Sequence, residues 1–313
     1  MKNQPNVWTR RAFLATAAVT LGCSQNTGGG EGSSPAALGP VLDLHQHTNY
    51  QGRTDAQLIA HQKQIGVTTT CLLPGAGWML ETVGGNEQCA ALTLSYEHVF
   101  IRFGNADPAA ADAAATLTKN LDEWAVGIGE QKFPVAVDSP EMRRVYDLAR
   151  ERKKPVLLHF EHEKYNLGIE SFAKIVEAYP EVNFIGHAQT WWANISAEVN
   201  PTEMYPTGPV KPGGLLDHLL ADYPNVYADL SANSGRNALE RDEEFTRGFL
   251  TRHSEKLIWG SDCNCHDGKG AGRNDGQCIG ARSLAAVGRL APQDTISKIL
   301  YGNGARVLGL AQC

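Results

Sequence analysis

His45-Gln46-His47 closes a short apolar run, Val41-Leu42-Asp43-Leu44. Residues two apart in a β-strand project from one face, which aims both imidazoles at one spot with Asp43 beneath them. Two neutral ring nitrogens meeting at a point form half of a zinc-type coordination shell. Single histidines and carboxylates recur at the ends of later apolar runs. Glu130 follows Ala125–Gly129, with Lys132 two residues on along the same face; His159 follows Val156–Leu158, and His187 follows Phe184–Gly186. Asp262 follows Leu257–Ser261. The chain has 10 histidines in all, and His45, His47, His159 and His187 each fall at such an end, which favours one divalent-metal site over scattered surface histidines. A nitrogen–oxygen donor set of this kind holds one or two ions of Zn²⁺, Mn²⁺, Fe²⁺ or Co²⁺, zinc first among them.

The elements that must position these groups are strands alternating with helices. Strand-like runs begin near Val41, Gly66, His98, Ala125, Pro155, Asn183, Asn225 and Leu257, at near-regular spacing with one longer gap between the sixth and seventh. Amphipathic helical patterns lie between them, among them Thr54–Gln64, Ala109–Leu121, Ser139–Arg152, Ile169–Ala178 and Arg241–His253. This alternation predicts parallel pairing through right-handed crossovers. The runs are apolar on both faces, as parallel strands beneath helices are. Eight such units fit the roughly 250 residues of a (β/α)8 TIM barrel, whose catalytic groups stand at the C-terminal strand ends. A doubly wound open sheet is the alternative, but no GxGxxG turn follows the first strand. The predicted fold class is therefore α/β, a single TIM barrel over residues 39–313.

In order, these fragments resemble the amidohydrolase superfamily of metal-dependent hydrolases, in its amidohydrolase-related (family 2) branch. The resemblance rests on Asp43–His47, Pro155–His159, Asn183–His187, Asn225–Ser231, Leu257–Asp262 and the closing Ile299–Arg306. It implies that His45 and His47 bind a first metal together with Asp262. His159 would complete that shell or hold a second ion, and His187 would bind the second ion or orient the substrate. Glu130 would be the bridging ligand, with Lys132 as its rival. Asp262 would take a proton from metal-activated water and return it to the leaving group. The activity implied is hydrolysis of an ester, lactone or amide bond of a small molecule. The alternatives are a metal-dependent decarboxylase of the same branch, a TatD-type nuclease, or a binding barrel without catalysis.

The remaining features bear on location and substrate. Thr9-Arg10-Arg11-Ala12-Phe13-Leu14 and the apolar run Ala15–Gly22 read as a twin-arginine export signal over residues 1–23. That run falls short of the roughly 20 residues that span a bilayer. Cys23 after Leu21-Gly22 resembles a lipoprotein attachment box, although Thr20 stands where leucine is usual, and residues 24–38 form a Gly/Ser-rich linker. The expectation is a periplasmic or lipid-anchored protein. A net charge of −6 argues against nucleic acid as a partner. Cys263, Cys265 and Cys278 cluster without a second CxxC-type pair, so a loop disulfide from Cys278 to Cys263 or Cys265 is the stronger reading and a separate metal site the weaker. Glu161 and His162 are expected around the site or at the surface. Trp191-Trp192 should sit at the pocket mouth, stacking on substrate or packing on the next helix. The Pro/Gly-rich insert Ala193–Gly214 is a candidate lid, and Asn264–Asp275 a mobile active-site loop.

Overall fold

The computed structural model describes residues 39–310, so the twin-arginine segment, the linker and Cys23 lie outside the described residues. Eight short strands follow one another: β1 (Leu42–Gln46), β2 (Thr69–Leu72), β3 (Phe100–Arg102), β4 (Ile128–Gln131), β5 (Val156–His159), β6 (Phe184–His187), β7 (Val226–Asp229) and β8 (Leu257–Ile258). They pair in parallel in the orders β1-β2-β3 and β4-β5-β6-β7-β8. Backbone hydrogen bonds join the two runs into a ring. Val126 N donates to Arg102 O at 2.8 Å and Gly104 N to Gly127 O at 2.9 Å, while Leu44 N donates to Trp259 O at 3.2 Å. The expected (β/α)8 barrel is thus closed, and no helix among the described residues is long and apolar enough to cross a membrane.

Helices α1 (Asp55–Gln64), α2 (Asn86–Ser95), α3 (Ala113–Asp122), α4 (Pro140–Arg152) and α5 (Phe172–Ala178) cover the first half. The second half carries α6 (Gln189–Ala193), α7 (Leu215–Asp222), α8 (Ala232–Glu240), α9 (Glu243–Arg252), α10 (Ile279–Leu290), α11 (Gln293–Ser297) and α12 (Asn303–Leu308). Two of the predicted helices open at their capping residues: Thr54 accepts from Gln57 N, and Ser139 accepts from Met142 N ahead of Pro140 at the first turn. The long gap between β6 and β7 holds α6, the irregular segment 194–214 and α7.

Two apolar layers fix the barrel. One fills the space between strands and helices and includes Ile128, Val156, Phe184, Trp191 and Trp259. The other lies inside the ring, where Leu42, Leu44, Cys71, Phe103, Leu157, Ile185 and Tyr227 meet Val307 and Leu308 of α12. On β5, β6 and β7 the alternation is regular. Leu157, Ile185 and Tyr227 fill the interior, so His159, His187 and Asp229, two residues on, face the mouth.

Strands β1 and β4 break that alternation, and this corrects the expectation for Asp43. Leu42 and Leu44 point inward, and Asp43 turns outward, where it accepts from Gln62 Nε2 at 2.9 Å and Ser261 N at 2.8 Å. A register irregularity between Asp43 and Gln46 then resets the strand so that His45 and His47 reach the interior. Irregularities of this type re-aim side chains beside active sites. The same occurs on β4, where the register shifts between Ile128 and Gln131. Gly129 is required there: its φ is +146°, and a Cβ would lie 2.9 Å from Leu157 O. The next residue, Glu130, is delivered into the mouth.

Candidate functional site

The six residues singled out at the strand ends converge. Glu130 is the hub, and its two oxygens face opposite pairs of imidazoles. Oε2 lies 3.7 Å from His45 Nε2 and 3.7 Å from His47 Nε2. Oε1 lies 2.5 Å from His159 Nδ1 and 3.7 Å from His187 Nε2. Asp262 closes the ring, with Oδ1 at 3.6 Å from His47 Nε2 and 3.9 Å from His45 Nε2, and Oδ2 at 3.9 Å from His187 Nε2. Metal bonds of about 2.0–2.2 Å set tetrahedral ligand–ligand edges of about 3.3–3.6 Å. The edges from His45 and His47 to Glu130 and to Asp262 already stand near that spacing. Glu130 and His159, by contrast, stand at hydrogen-bond distance, so a second ion between them requires the pair to part.

Each imidazole is oriented by what holds its far nitrogen. His47 Nδ1 donates to Leu73 O at 2.7 Å and His45 Nδ1 donates to Asp229 Oδ2 at 2.7 Å. Both Nε2 atoms are therefore turned into the site, only 3.2 Å apart. Burial, reinforced by neighbouring His45, pushes the His47 imidazole down to about 4, so it is neutral and ready to ligate at neutral pH. Asp229 also lies 3.1 Å from His187 Nδ1 and accepts from Ser231 Oγ at 2.8 Å. Burial alone would raise the Asp229 carboxyl, but His187 and His45 together hold it well below the usual carboxylate range. Asp229→Asn is expected to weaken metal binding or activity about 10–100-fold, the usual cost of losing an orienting partner. With the amide oxygen kept toward the two rings, its NH₂ group must face Ser231 N, which donates to Oδ1 at 3.0 Å, and the charge that anchors both rings is lost; metal titration of the folded variant checks this.

A cation fits this cage on observations independent of the spacing. Asp262 Oδ1 is buried and has no hydrogen-bond partner among the described residues, although the Nε2 atoms of His45 and His47 face it. Facing acceptors of this kind repel unless a proton or metal lies between them. Glu130 is kept ionised against the cost of burial by Lys132 first and His159 next. Lys132 is not in the ring of ligands: its Nζ sits 5.6 Å from the Trp78 ring centre and 5.7 Å from that of Tyr165. Trp78 and Tyr165 are themselves stacked at 5.2 Å.

A family model described as Amidohydrolase (Amidohydro_2) matches residues 74–310. The chain belongs to the amidohydrolase family. Solved structures with the same fold include an uncharacterised TIM-barrel protein from Bordetella bronchiseptica, with a TM-score of 0.62 at 13% identity over 86% of this chain and 98% of that one. A probable 2-pyrone-4,6-dicarboxylic acid hydrolase from Acinetobacter baumannii, with citric acid bound, gives 0.59 at 14% identity over 86% and 99%. A dihydroxybenzoic acid decarboxylase from a Polaromonas species, with manganese and 2-nitroresorcinol bound, gives 0.51 at 14% over 84% and 88%. Curated proteins provide no significant match.

Around the centre of this amidohydrolase, several residues were not foreseen or differ from expectation. Asp229 ends β7 just as the other site residues end their strands, and that position was its available signal. Tyr50 was unmarked in the sequence; its ring lies edge-on to His47 at 5.1 Å, and burial together with nearby Asp262 and Glu130 pushes its hydroxyl well above the usual phenol range. Glu161 takes the surrounding role expected of it, 3.3 Å from His159 Nε2, and His162 lies at the surface. Trp191 and Trp192 are buried: Trp191 stacks on Phe160 at 5.7 Å, and Trp192 Nε1 donates to Asp229 O at 3.0 Å. Of the two roles open to this pair, the structure places it in packing and not over substrate. The insert 194–214 borders a cleft of about 520 Å³ through Pro201, Met204 and neighbouring residues, with Glu161 on the facing side. The loop after Asp262 is tied down by Asp267 Oδ1, which accepts from the backbone of Lys269, Gly270 and Ala271.

Proposed function

We propose that this amidohydrolase is a metal-dependent hydrolase that cleaves an ester, lactone or amide bond of a small molecule with activated water. The observation that carries this reading is the convergence of oriented imidazole nitrogens on the unpartnered Oδ1 of Asp262. His45, His47, Glu130 and Asp262 would hold one divalent ion, and His159 and His187 across Glu130 would hold a second or face the substrate. When bound, such an ion lowers the pKa of water from 15.7 to about 7 and polarises an acyl oxygen. Asp262 accepts the proton of the attacking water and returns it to the leaving group. His187, anchored through Nδ1 on Asp229 and Ser231, orients the reacting carbonyl. Zinc and manganese both suit this donor set. A twin-arginine route, which moves folded proteins, accords with loading the metal before export.

A second reading is a metal-dependent decarboxylase. Lys132 above the Trp78–Tyr165 stack offers a cation beside aromatic walls, which suits a carboxylate on a planar ring. The test is the full chain stripped by chelator, reloaded with zinc or manganese, and assayed on aryl esters, lactones and aromatic carboxylates. Hydrolysis that vanishes on stripping and returns on reloading is expected. Metal-dependent CO₂ release without hydrolysis would replace the first reading with the second, and failure to take up metal would overturn both.

A further inference from the structure

A second cluster of metal-type donors lies outside the mouth, under the loop that follows Asp262. Cys263, Cys265 and Cys278 meet His61 of α1 there, all four buried, and their ligand atoms lie within 4.8 Å of one another. Cys278 Sγ is 3.3 Å from His61 Nε2 and 3.9 Å from Cys263 Sγ. Zinc–sulfur bonds near 2.3 Å and zinc–nitrogen bonds near 2.0 Å set tetrahedral edges of about 3.3–3.8 Å. Three thiolates and one imidazole are the donor set of a closed, structural zinc site.

Two neighbours point to an ion in this cluster. His61 is aimed by a fixed chain of hydrogen bonds. Gln62 Nε2 donates to Asp43 Oδ2 at 2.9 Å and Thr70 Oγ1 at 2.8 Å, which leaves Gln62 Oε1 to accept from His61 Nδ1 at 2.9 Å. The Nε2 lone pair of His61 is thereby turned toward the sulfurs. The other neighbour is Arg53, which is 1% exposed and forms no ion pair among the described residues. Its guanidinium donates to Cys263 O at 2.6 Å and Cys265 O at 3.2 Å, and on the other side to His47 O at 3.0 Å. A buried cation needs a counter-charge. Three thiolates and one imidazole around Zn²⁺ carry a net charge of about −1, which would add to that of the nearby Asp43 carboxylate.

We propose that His61, Cys263, Cys265 and Cys278 bind a structural zinc ion that fastens the loop 263–278 to α1. Binding releases three thiol protons to solvent and forms three zinc–sulfur bonds and one zinc–nitrogen bond, with no change of oxidation state. Because Cys263 directly follows Asp262, the same ion fixes the backbone from which Asp262 reaches the catalytic mouth. A disulfide from Cys278 to Cys263, one of the two pairings the sequence left open, would leave Cys265 and His61 without a shared partner, and the three cysteines are free in the structure.

The test separates this ion from the one in the mouth. The full chain carrying His45→Ala, His47→Ala and Asp262→Asn is purified under reducing conditions and analysed for zinc by elemental analysis and X-ray absorption. About one zinc per chain is expected to remain, with a sulfur-dominated shell near 2.3 Å, and to be lost when Cys265→Ser and Cys278→Ser are added. Should those variants fail to fold, cobalt replacement in the unmodified chain decides through its thiolate-to-cobalt charge-transfer band. A retained shell of nitrogen and oxygen only, a missing charge-transfer band, or a Cys263–Cys278 disulfide in freshly isolated protein would overturn the proposal.

Discussion

Asp262→Asn is expected to lower kcat by about 10²–10⁴-fold, the range spanned by a positioned acid–base group, while the fold survives. The choice of asparagine matters. Asp262 sits at φ +42°, a left-handed conformation that Asn tolerates as Asp does and that Ala adopts only with strain. The substitution therefore removes charge and basicity without disturbing the turn that places the side chain. The amide keeps one acceptor oxygen, so a metal held also by His45, His47 and Glu130 is weakened more than lost. Excess metal should restore occupancy and leave kcat low. That split between occupancy and turnover distinguishes a proton-transfer role from a purely ligating one. Recovery of full kcat at saturating metal would remove Asp262 from the proton path, and a circular-dichroism melt confirms that the variant is folded.

What the chain reveals by itself follows from which interactions are local. The barrel was readable because each strand is a short apolar run and each site residue stands one step beyond it, as His159 and His187 do. The helical patterns opening at Thr54 and Ser139 were readable for the same local reason, and both residues cap their helices in the structure. Simple alternation failed on β1 and β4, since a register irregularity is decided by the neighbouring strand. Asp43 was accordingly assigned to the wrong face, and Gly129 gave no hint of the contact with Leu157 O that excludes a side chain. The partner of the cysteine cluster was hidden still further. His61 lies on α1 in the first part of the chain, and only closure of the barrel between β8 and β1 brings it to Cys278. The tryptophan pair could not be placed from composition, because a buried Trp191 and a substrate-facing one have the same sequence; Gly186, which leaves room for its ring, is the residue that decides.

Glu130→Gln is expected to weaken metal binding by more than the 10–100-fold typical of an orienting partner, because this side chain faces both pairs of imidazoles. An amide can turn its oxygen toward His45 and His47 or toward His159 and His187, and its NH₂ group must then meet the other pair. If two ions bind in the mouth, content per chain should fall by about one, the zinc of the cysteine cluster being retained; if one binds there, affinity should drop with the stoichiometry unchanged. Elemental analysis beside a metal titration reads both quantities. The metal-free protein carries a second signature. Lys132 and His159 hold the Glu130 carboxyl well below the usual range, so its stabilising contribution is full above the unfolded pKa and is lost as pH falls through the folded one. Removing that carboxylate leaves Lys132 and His159 facing a neutral group, which lowers stability at neutral pH and flattens the acid limb of the unfolding profile. A variant with undiminished metal affinity and an unchanged acid limb would take Glu130 out of the centre, and the hub would then have to be Asp262, the other carboxylate that reaches His45, His47 and His187.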